Sequence, residues 1–157
     1  MSDVNGAALR LKETYPEAVE DLASFRGDTS VWIRKEDILE VGRFLKEEPE
    51  LAFDFLTLAT AVDYFPKEPR FEMVYHLYSM QHNTRLILKV RLPSEEPMVE
   101  SVTPLWSTAN WHEREAFDLM GIRFENHPDL SRILMPDDWE GHPLRKDYPL
   151  KGFDRSE

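Results

Sequence analysis

A series of prolines toward the end of this chain limits its folding more than any other feature. Pro128, Pro136, Pro143 and Pro149 interrupt residues 127–150, and proline can neither continue a helix nor sit in a central strand. The same stretch is rich in side chains that gain by burial: Leu130, Ile133, Leu134, Met135, Trp139, Leu144, Tyr148 and Leu150. This combination predicts an extended C-terminal arm, residues 126–157, that is laid onto another protein and ordered by it.

Residues 1–125 are predicted to form one domain. A chain of 157 residues is long enough to bury a sizeable core in a single domain. The order of elements predicts the α+β class, as a two-layer domain with a mainly antiparallel sheet and packed helices. The predicted elements are a helix at 4–15, two strands within 18–34 joined at 26–28, a helix at 35–46, strands at 53–64, 71–80 and 85–92, and a loop at 95–104 with room for a short strand at 99–102.

Two segments carry the clearest local signals. Residues 85–92 alternate between apolar and mostly charged side chains, as in a half-buried strand. The apolar positions are Leu86, Leu88, Val90 and Leu92. Residues 111–120 are predicted to form a helix, with Asn110 as its cap and Glu113 reaching back to that cap. Gly121 can adopt the left-handed conformation that ends a helix.

Charge and composition exclude several classes of function. The formal net charge is −11, from 30 acidic and 19 basic residues, which disfavours binding to nucleic acid and to anionic lipid. The chain has no cysteine, so it offers no thiolate for a disulfide, a zinc site or an iron–sulfur cluster. No run approaches the roughly 20 apolar residues of a membrane helix, and no secretory signal is recognisable at Met1. We therefore expect membrane association only through partners.

The charged residues of the 111–120 helix do not favour a catalytic interpretation. His112 and Glu113 could begin a zinc-protease motif, but Ala116 stands where the second histidine belongs. Glu113, Glu115 and Asp118 could serve a carboxylate-dependent hydrolase, but we favour capping and a solvated or partner-facing charged surface. No nucleophile elbow or phosphate-binding glycine loop is present. We expect no catalytic, cofactor-binding or metal-ligating residue, and the hydrolase remains an alternative.

The tryptophans fall into two groups. Trp32 is expected in the core of a strand, and Trp106 and Trp111 are expected to pack against the sheet. Trp139 lies instead in the C-terminal arm, together with Arg132 and Arg145. Trp, Tyr and Arg are the residue types that anchor protein interfaces, so we expect these side chains to contact a partner.

The stretch from Trp106 to Leu150 resembles a known family. Its motifs are Glu113-Arg114-Glu115, Asp118-Leu119, Gly121-Ile122, His127-Pro128, Arg132-Ile133-Leu134 and the closing run from Asp138 to Leu150. Weaker matches lie upstream, at Phe53-Asp54, Ala61 to Tyr64 and Arg70 to Glu72. The sequence is similar to the complex I 30 kDa subunit family, and the similarity covers most of the chain.

The resemblance implies a compact α+β domain with an extended C-terminal arm, in a non-catalytic peripheral subunit of a proton-pumping NADH–quinone oxidoreductase. Its implied place is the cytoplasmic side of the cell membrane, where it braces the D subunit, which forms the quinone site, and lies near the B and I subunits. FMN, iron–sulfur clusters, NADH and quinone belong to other subunits. The residues implied at the partner interface are Glu113, Arg114, Glu115, Asp118, His127, Arg132, Trp139, His142, Arg145 and Tyr148. Arg114, Arg132 and Arg145 are expected to pair with carboxylates, and Trp139 and Tyr148 to fill apolar pockets.

One alternative is a homologous subunit of a related assembly. Membrane-bound hydrogenases, F420H2 dehydrogenases and the photosynthetic NDH complex carry such subunits, and other subunits choose the electron donor. The sequence leaves this choice open.

Overall fold

A computed structural model of the chain describes residues 3–149, with the backbone alone for residues 3–5. Residues 150–157, the last part of the C-terminal arm, lie outside the described residues. In chain order the elements are α1 (Asp3–Thr14), β1 (Val19–Phe25), β2 (Asp28–Ile33), a short 3-10 turn (Lys35–Asp37), α2 (Ile38–Glu47), β3 (Phe55–Asp63), β4 (Phe71–Ser79), β5 (Thr84–Leu92), β6 (Met98–Glu100), α3 (Ala109–Met120) and β7 (Arg123–Glu125).

Five strands form the main sheet, in the order β1-β2-β5-β4-β3. All neighbouring pairs are antiparallel except β2 and β5, which are parallel. The short strands β6 and β7 form a second, parallel pair. The predicted fold class, α+β with a mainly antiparallel sheet, is confirmed. The two parallel pairings were not predicted.

One face of the sheet and the three helices share a single core. The period-two prediction for β5 is confirmed, since Leu86, Leu88, Val90 and Leu92 are all buried. They belong to one cluster with Leu11 of α1, Val41 of α2 and Ala116 of α3. Trp32 of β2 and Lys89 of β5 are paired across the two strands. Both side chains lie on the opposite face of the sheet.

The tryptophan predictions are correct for one residue of three. Trp106 is buried, and its Nε1 donates to Phe53 O at 3.1 Å. Trp32 is only half-buried, so its placement in the core is wrong. Lys89 Nζ lies 4.9 Å from the centroid of its ring, and this cation–π contact covers the exposed aromatic face. Trp111 is 52% exposed, so the prediction that it packs against the sheet is wrong.

The end of α3 was predicted correctly and its start was not. Gly121 ends the helix with φ of 78°, and its N–H donates to Phe117 O. The helix begins at Ala109, after Thr108, without a side-chain capping bond. The capping box predicted from Asn110 and Glu113 does not form, because the Glu113 carboxylate is engaged elsewhere.

Candidate interaction site

Asp118, on the last turn of α3, is the centre of the site. Its side chain is fully buried. Oδ1 accepts a hydrogen bond from Arg132 Nε at 2.6 Å. Oδ2 accepts from three successive backbone N–H groups, those of Ile133, Leu134 and Met135, at 3.1, 2.7 and 2.9 Å. One carboxylate therefore fixes four consecutive residues of the C-terminal arm.

The charge on Asp118 is stabilised by this arrangement. Burial acts to raise its pKa, but the hydrogen bonds from Arg132 and from the three backbone amides outweigh burial and lower the pKa below its usual value. The carboxylate is therefore ionised near neutral pH, in a pocket that the arm itself closes.

The C-terminal arm also caps α3. The last carbonyls of a helix have no partner within the helix, and here three of them accept hydrogen bonds from the arm. The bonds are Arg132 Nη2 to Asp118 O at 3.0 Å, His142 Nδ1 to Asp118 O at 2.9 Å, Leu144 N to Leu119 O at 3.0 Å and Arg145 Nε to Met120 O at 2.7 Å. The arm is thus laid on its own domain, and its ordering by another protein stays a prediction.

A second anchor lies at the end of β3. Asp63 is buried and accepts two hydrogen bonds from Arg70, at 2.8 and 2.9 Å. Arg70 Nη2 also donates to Asp147 of the arm at 2.7 Å, and the Lys146 N–H donates to Asp63 Oδ2 at 2.8 Å. Burial acts to raise the pKa of Asp63, but the bonds from Arg70 and the backbone lower it well below its usual range. Sequence reasoning missed Arg70 and Asp147, since only the fold brings them together.

Aromatic and polar side chains tie the arm together between these anchors. Trp139 Nε1 donates to the Tyr148 hydroxyl at 2.9 Å. Arg114 of α3 donates to the Ser131 backbone oxygen at 3.2 Å and to its hydroxyl at 2.9 Å. The arm is therefore internally braced as well as attached to α3.

Glu113 points to the loop after β6, and His127 Nε2 of the arm lies 3.9 Å from its Oε1. It is fully buried and accepts from Ser101 Oγ at 2.6 Å and from the Val102 N–H at 2.8 Å. Burial raises the pKa of Glu113 to about 7, against the lowering effect of these two bonds. The hydroxyl of Tyr75 is also buried and has no hydrogen-bond partner in the described part of the chain.

Several residues of the predicted partner interface are buried within this chain. The side chains of Glu113, Asp118 and His127 are at most 1% exposed, so they do not face a partner in this conformation. Arg132 pairs with Asp118 of its own chain, and its other nitrogens donate to Trp139 O and Gly141 O at 2.7 and 2.8 Å. The expectation that Arg132 pairs with a partner's carboxylate is therefore corrected, whereas Glu115 and Arg145 remain partly exposed.

The same contacts give no support to a hydrolase. The oxygens of Glu113 and Asp118 are filled by donors from this chain, and the two side chains point to different neighbours. Within residues 3–149, no group of three or more His, Cys, Asp or Glu is placed to hold a metal ion. No helix in this described range has the length and apolar character needed to cross a membrane.

Comparison with known proteins identifies the family. A family model described as "Respiratory-chain NADH dehydrogenase, 30 Kd subunit" matches residues 31–154. The chain belongs to this family. The resemblance drawn from the motifs between Trp106 and Leu150 is thereby confirmed.

Relatives match over nearly the whole chain. The C subunit of the NADH-quinone oxidoreductase of Geotalea uraniireducens (strain Rf4) is 51% identical over 155 residues, 99% of this chain and 93% of the relative. The protein of the same name from Roseiflexus sp. (strain RS-1) is 55% identical over 141 residues, 90% of this chain and 81% of the relative. The family match therefore includes the arm as well as the domain.

Two solved structures are similar. A trypsin-resistant fragment (1-134) of Nqo5 is 32% identical, with a TM-score of 0.66, over 78% of this chain and 97% of the fragment. A chain of the membrane-bound sulfane sulfur reductase, an archaeal respiratory membrane complex, is 26% identical, with a TM-score of 0.78, over 98% of this chain and 94% of that chain.

Proposed function

We propose that this chain is the C subunit of a proton-pumping NADH–quinone oxidoreductase, located peripherally on the cytoplasmic side of the cell membrane. The single observation that carries the proposal is identity of 51–55% to proteins of that name across the domain and the arm. In this role the chain is non-catalytic, and FMN, iron–sulfur clusters, NADH and quinone are bound by other subunits.

Within the complex, the chain braces the D subunit, which forms the quinone site and is the quinone-site subunit. The chain also lies near the B and I subunits. The arm supports this part of the proposal, because α3 holds its inner side while two of its leucines remain exposed. Leu134 is 53% exposed and Leu144 is 56% exposed, and exposed apolar groups held in a fixed geometry favour a protein interface. A segment ordered before binding also loses less conformational entropy on binding.

Binding of the purified full chain to the quinone-site subunit tests this role. We expect the double variant Leu134→Asp, Leu144→Asp to bind more weakly by at least about tenfold, since a buried leucine contributes roughly 1.5–3 kcal/mol. Phe25→Asp is the matched control, because Phe25 is 71% exposed but lies on the β1–β2 hairpin. Unchanged affinity of the double variant, or no binding of the wild-type chain to the quinone-site subunit, would refute the bracing role.

A related respiratory assembly is the second candidate, in keeping with the alternatives of a membrane-bound hydrogenase, an F420H2 dehydrogenase or the photosynthetic NDH complex. The similarity to a chain of the sulfane sulfur reductase complex favours it, but the identity there is 26% against 51–55% above. Deletion of the gene distinguishes the two. Loss of NADH-dependent quinone reduction in membranes supports the first proposal, and retention of that activity with loss of another membrane electron transfer supports the second.

A further inference from the structure

The guanidinium of Arg145 is held on one side and open on the other. Its Nε donates to Met120 O at 2.7 Å, and its Cζ lies 5.0 Å from the centroid of the Phe71 ring. A guanidinium carries five N–H donors in a rigid fork. Among residues 3–149, no acceptor takes a hydrogen bond from its two terminal nitrogens. The N–H donors on these two nitrogens are therefore left for a group outside the described chain.

The neighbouring arginines of the site differ from Arg145 in this respect. Arg132 donates from all three of its nitrogens to acceptors within this chain. Arg70 is satisfied by two carboxylates, Asp63 and Asp147. Burial, followed by the nearby charge of Arg70, lowers the pKa of Arg145 below its usual value. The charges of Asp147 and Asp63 act in the opposite direction and offset this lowering only in part.

Gly121 gives Arg145 the space for this position. A Cβ at residue 121 would lie 2.5 Å from Arg145 Nη2 and 2.6 Å from His142 Cδ2. The backbone turn that ends α3 therefore receives the guanidinium in close contact. With its Nε anchored and its plane near Phe71, the fork is already oriented before any partner binds.

We propose that Arg145 is the recognition residue for a carboxylate on the partner protein, which it binds through two parallel N–H···O bonds. This inference rests on the proposed function and deepens it. A planar fork matches a carboxylate in this bidentate way. Leu144, exposed beside it, suits an apolar protein surface, and the net charge of −11 opposes the approach of a polyanion such as nucleic acid.

The first experiment measures the affinity of the full chain for the quinone-site subunit. We expect Arg145→Gln to weaken binding about 10- to 100-fold, the equivalent of a charged hydrogen bond of roughly 1.5–3 kcal/mol. The variant should also lose part of the salt dependence of binding, because one charge pair is gone. Arg85→Gln is the matched control, since Arg85 is 73% exposed on the main sheet and apart from the arm.

The second experiment identifies the acidic group. A carbodiimide joins an amine only to a carboxylate in contact with it, so Arg145→Lys should form a new cross-link to one Asp, Glu or terminal carboxylate of the quinone-site subunit. The wild-type chain, which carries Lys146 next to this position, gives the background. Mass spectrometry of the linked peptides locates the partner residue.

The outcomes separate this inference from the proposed function. If the wild-type chain does not bind the quinone-site subunit, the proposed function fails. If it binds, and Arg145→Gln binds equally well while Arg145→Lys forms no cross-link beyond the wild-type background, only the inference is overturned. If Arg145→Gln weakens binding by loosening the arm, the cross-link decides: its presence supports carboxylate recognition, and its absence overturns it.

Discussion

Asp118→Asn tests the interpretation that one buried carboxylate holds the C-terminal arm. Asparagine has the same shape, but one of its two terminal atoms is an NH2 donor. In either orientation that donor faces other donors, because Arg132 Nε lies at one oxygen position and three backbone N–H groups lie at the other. The substitution therefore removes the charge and opposes the remaining hydrogen bonds without changing the volume.

The expected loss is a large part of the stability of a typical domain. Breaking a buried ion pair by removing one partner costs about 3–5 kcal/mol, against a total of about 5–15 kcal/mol for a typical domain. Because folding lowers the pKa of Asp118, its contribution is present above about pH 4 and is lost as the pH falls through the folded value. The core of the sheet and helices lies elsewhere, so the loss should release the arm locally.

Hydrogen exchange of the full chain at neutral pH measures this release. At about 3–5 kcal/mol, the amides of residues 133–135 should exchange about 10²- to 10⁴-fold faster, while those of β4 and β5 keep their protection. Asp137→Asn is the control, because Asp137 is exposed. Unchanged protection of residues 133–135 in Asp118→Asn would refute the reasoning, and equal loss of protection in the core strands would show that the arm and the domain unfold together.

Three further predictions concern the buried polar groups and the turn at α3. Tyr75→Phe should raise the urea midpoint, by about 1 kcal/mol in unfolding free energy, because it removes a buried hydroxyl that lacks a partner in the described chain; a lower midpoint would contradict this. Burial raises the pKa of Glu113 to about 7, so its proton-linked stabilisation is complete below about pH 4 and declines as the pH rises to about 7. As the pH rises from about 4 to about 8, the unfolding free energy of Glu113→Gln should therefore increase by about 3 kcal/mol relative to that of the wild type. A difference in unfolding free energy that does not change with pH would contradict a raised pKa for Glu113. Gly121→Ala should lower the melting temperature more than Gly27→Ala, since both glycines have positive φ but only Gly121 has Arg145 within 4 Å; equal effects would show that the arm contact contributes nothing.

Local patterns predicted the parts of the fold that depend on neighbouring residues. The alternation in β5 and the glycine at the end of α3 both follow from requirements within a few residues. The parallel pairing of β2 with β5 depends instead on residues such as Val31 and Leu88, which are distant in sequence. Trp111 shows the same limit, because its apolar character predicted burial and its position on α3 leaves it exposed.

The candidate site was harder to predict because its carboxylates are buried. Glu113 and Asp118 both lie on α3, a helix whose charges suggested a solvated face. In the structure each is buried because donors from another segment surround it, Ser101 and Val102 for one and residues 132–135 for the other. No pattern within α3 contains those donors. The one local signal was Arg132, a charged residue in an otherwise apolar run, and its partner could not be read from the sequence alone.

The arm is attached to the domain largely through polar groups. Three of its side chains, Arg132, His142 and Arg145, face inward and donate to the end of α3, whereas Leu134 and Leu144 remain exposed. Carbonyls at a helix end need donors rather than apolar cover, so a proline-rich segment can be ordered without forming a core of its own. The leucines are then free for a second protein, and large exposed apolar groups are the informative exception on a surface. Polar side chains thus attach the arm to the domain, and the two leucines stay accessible on its surface.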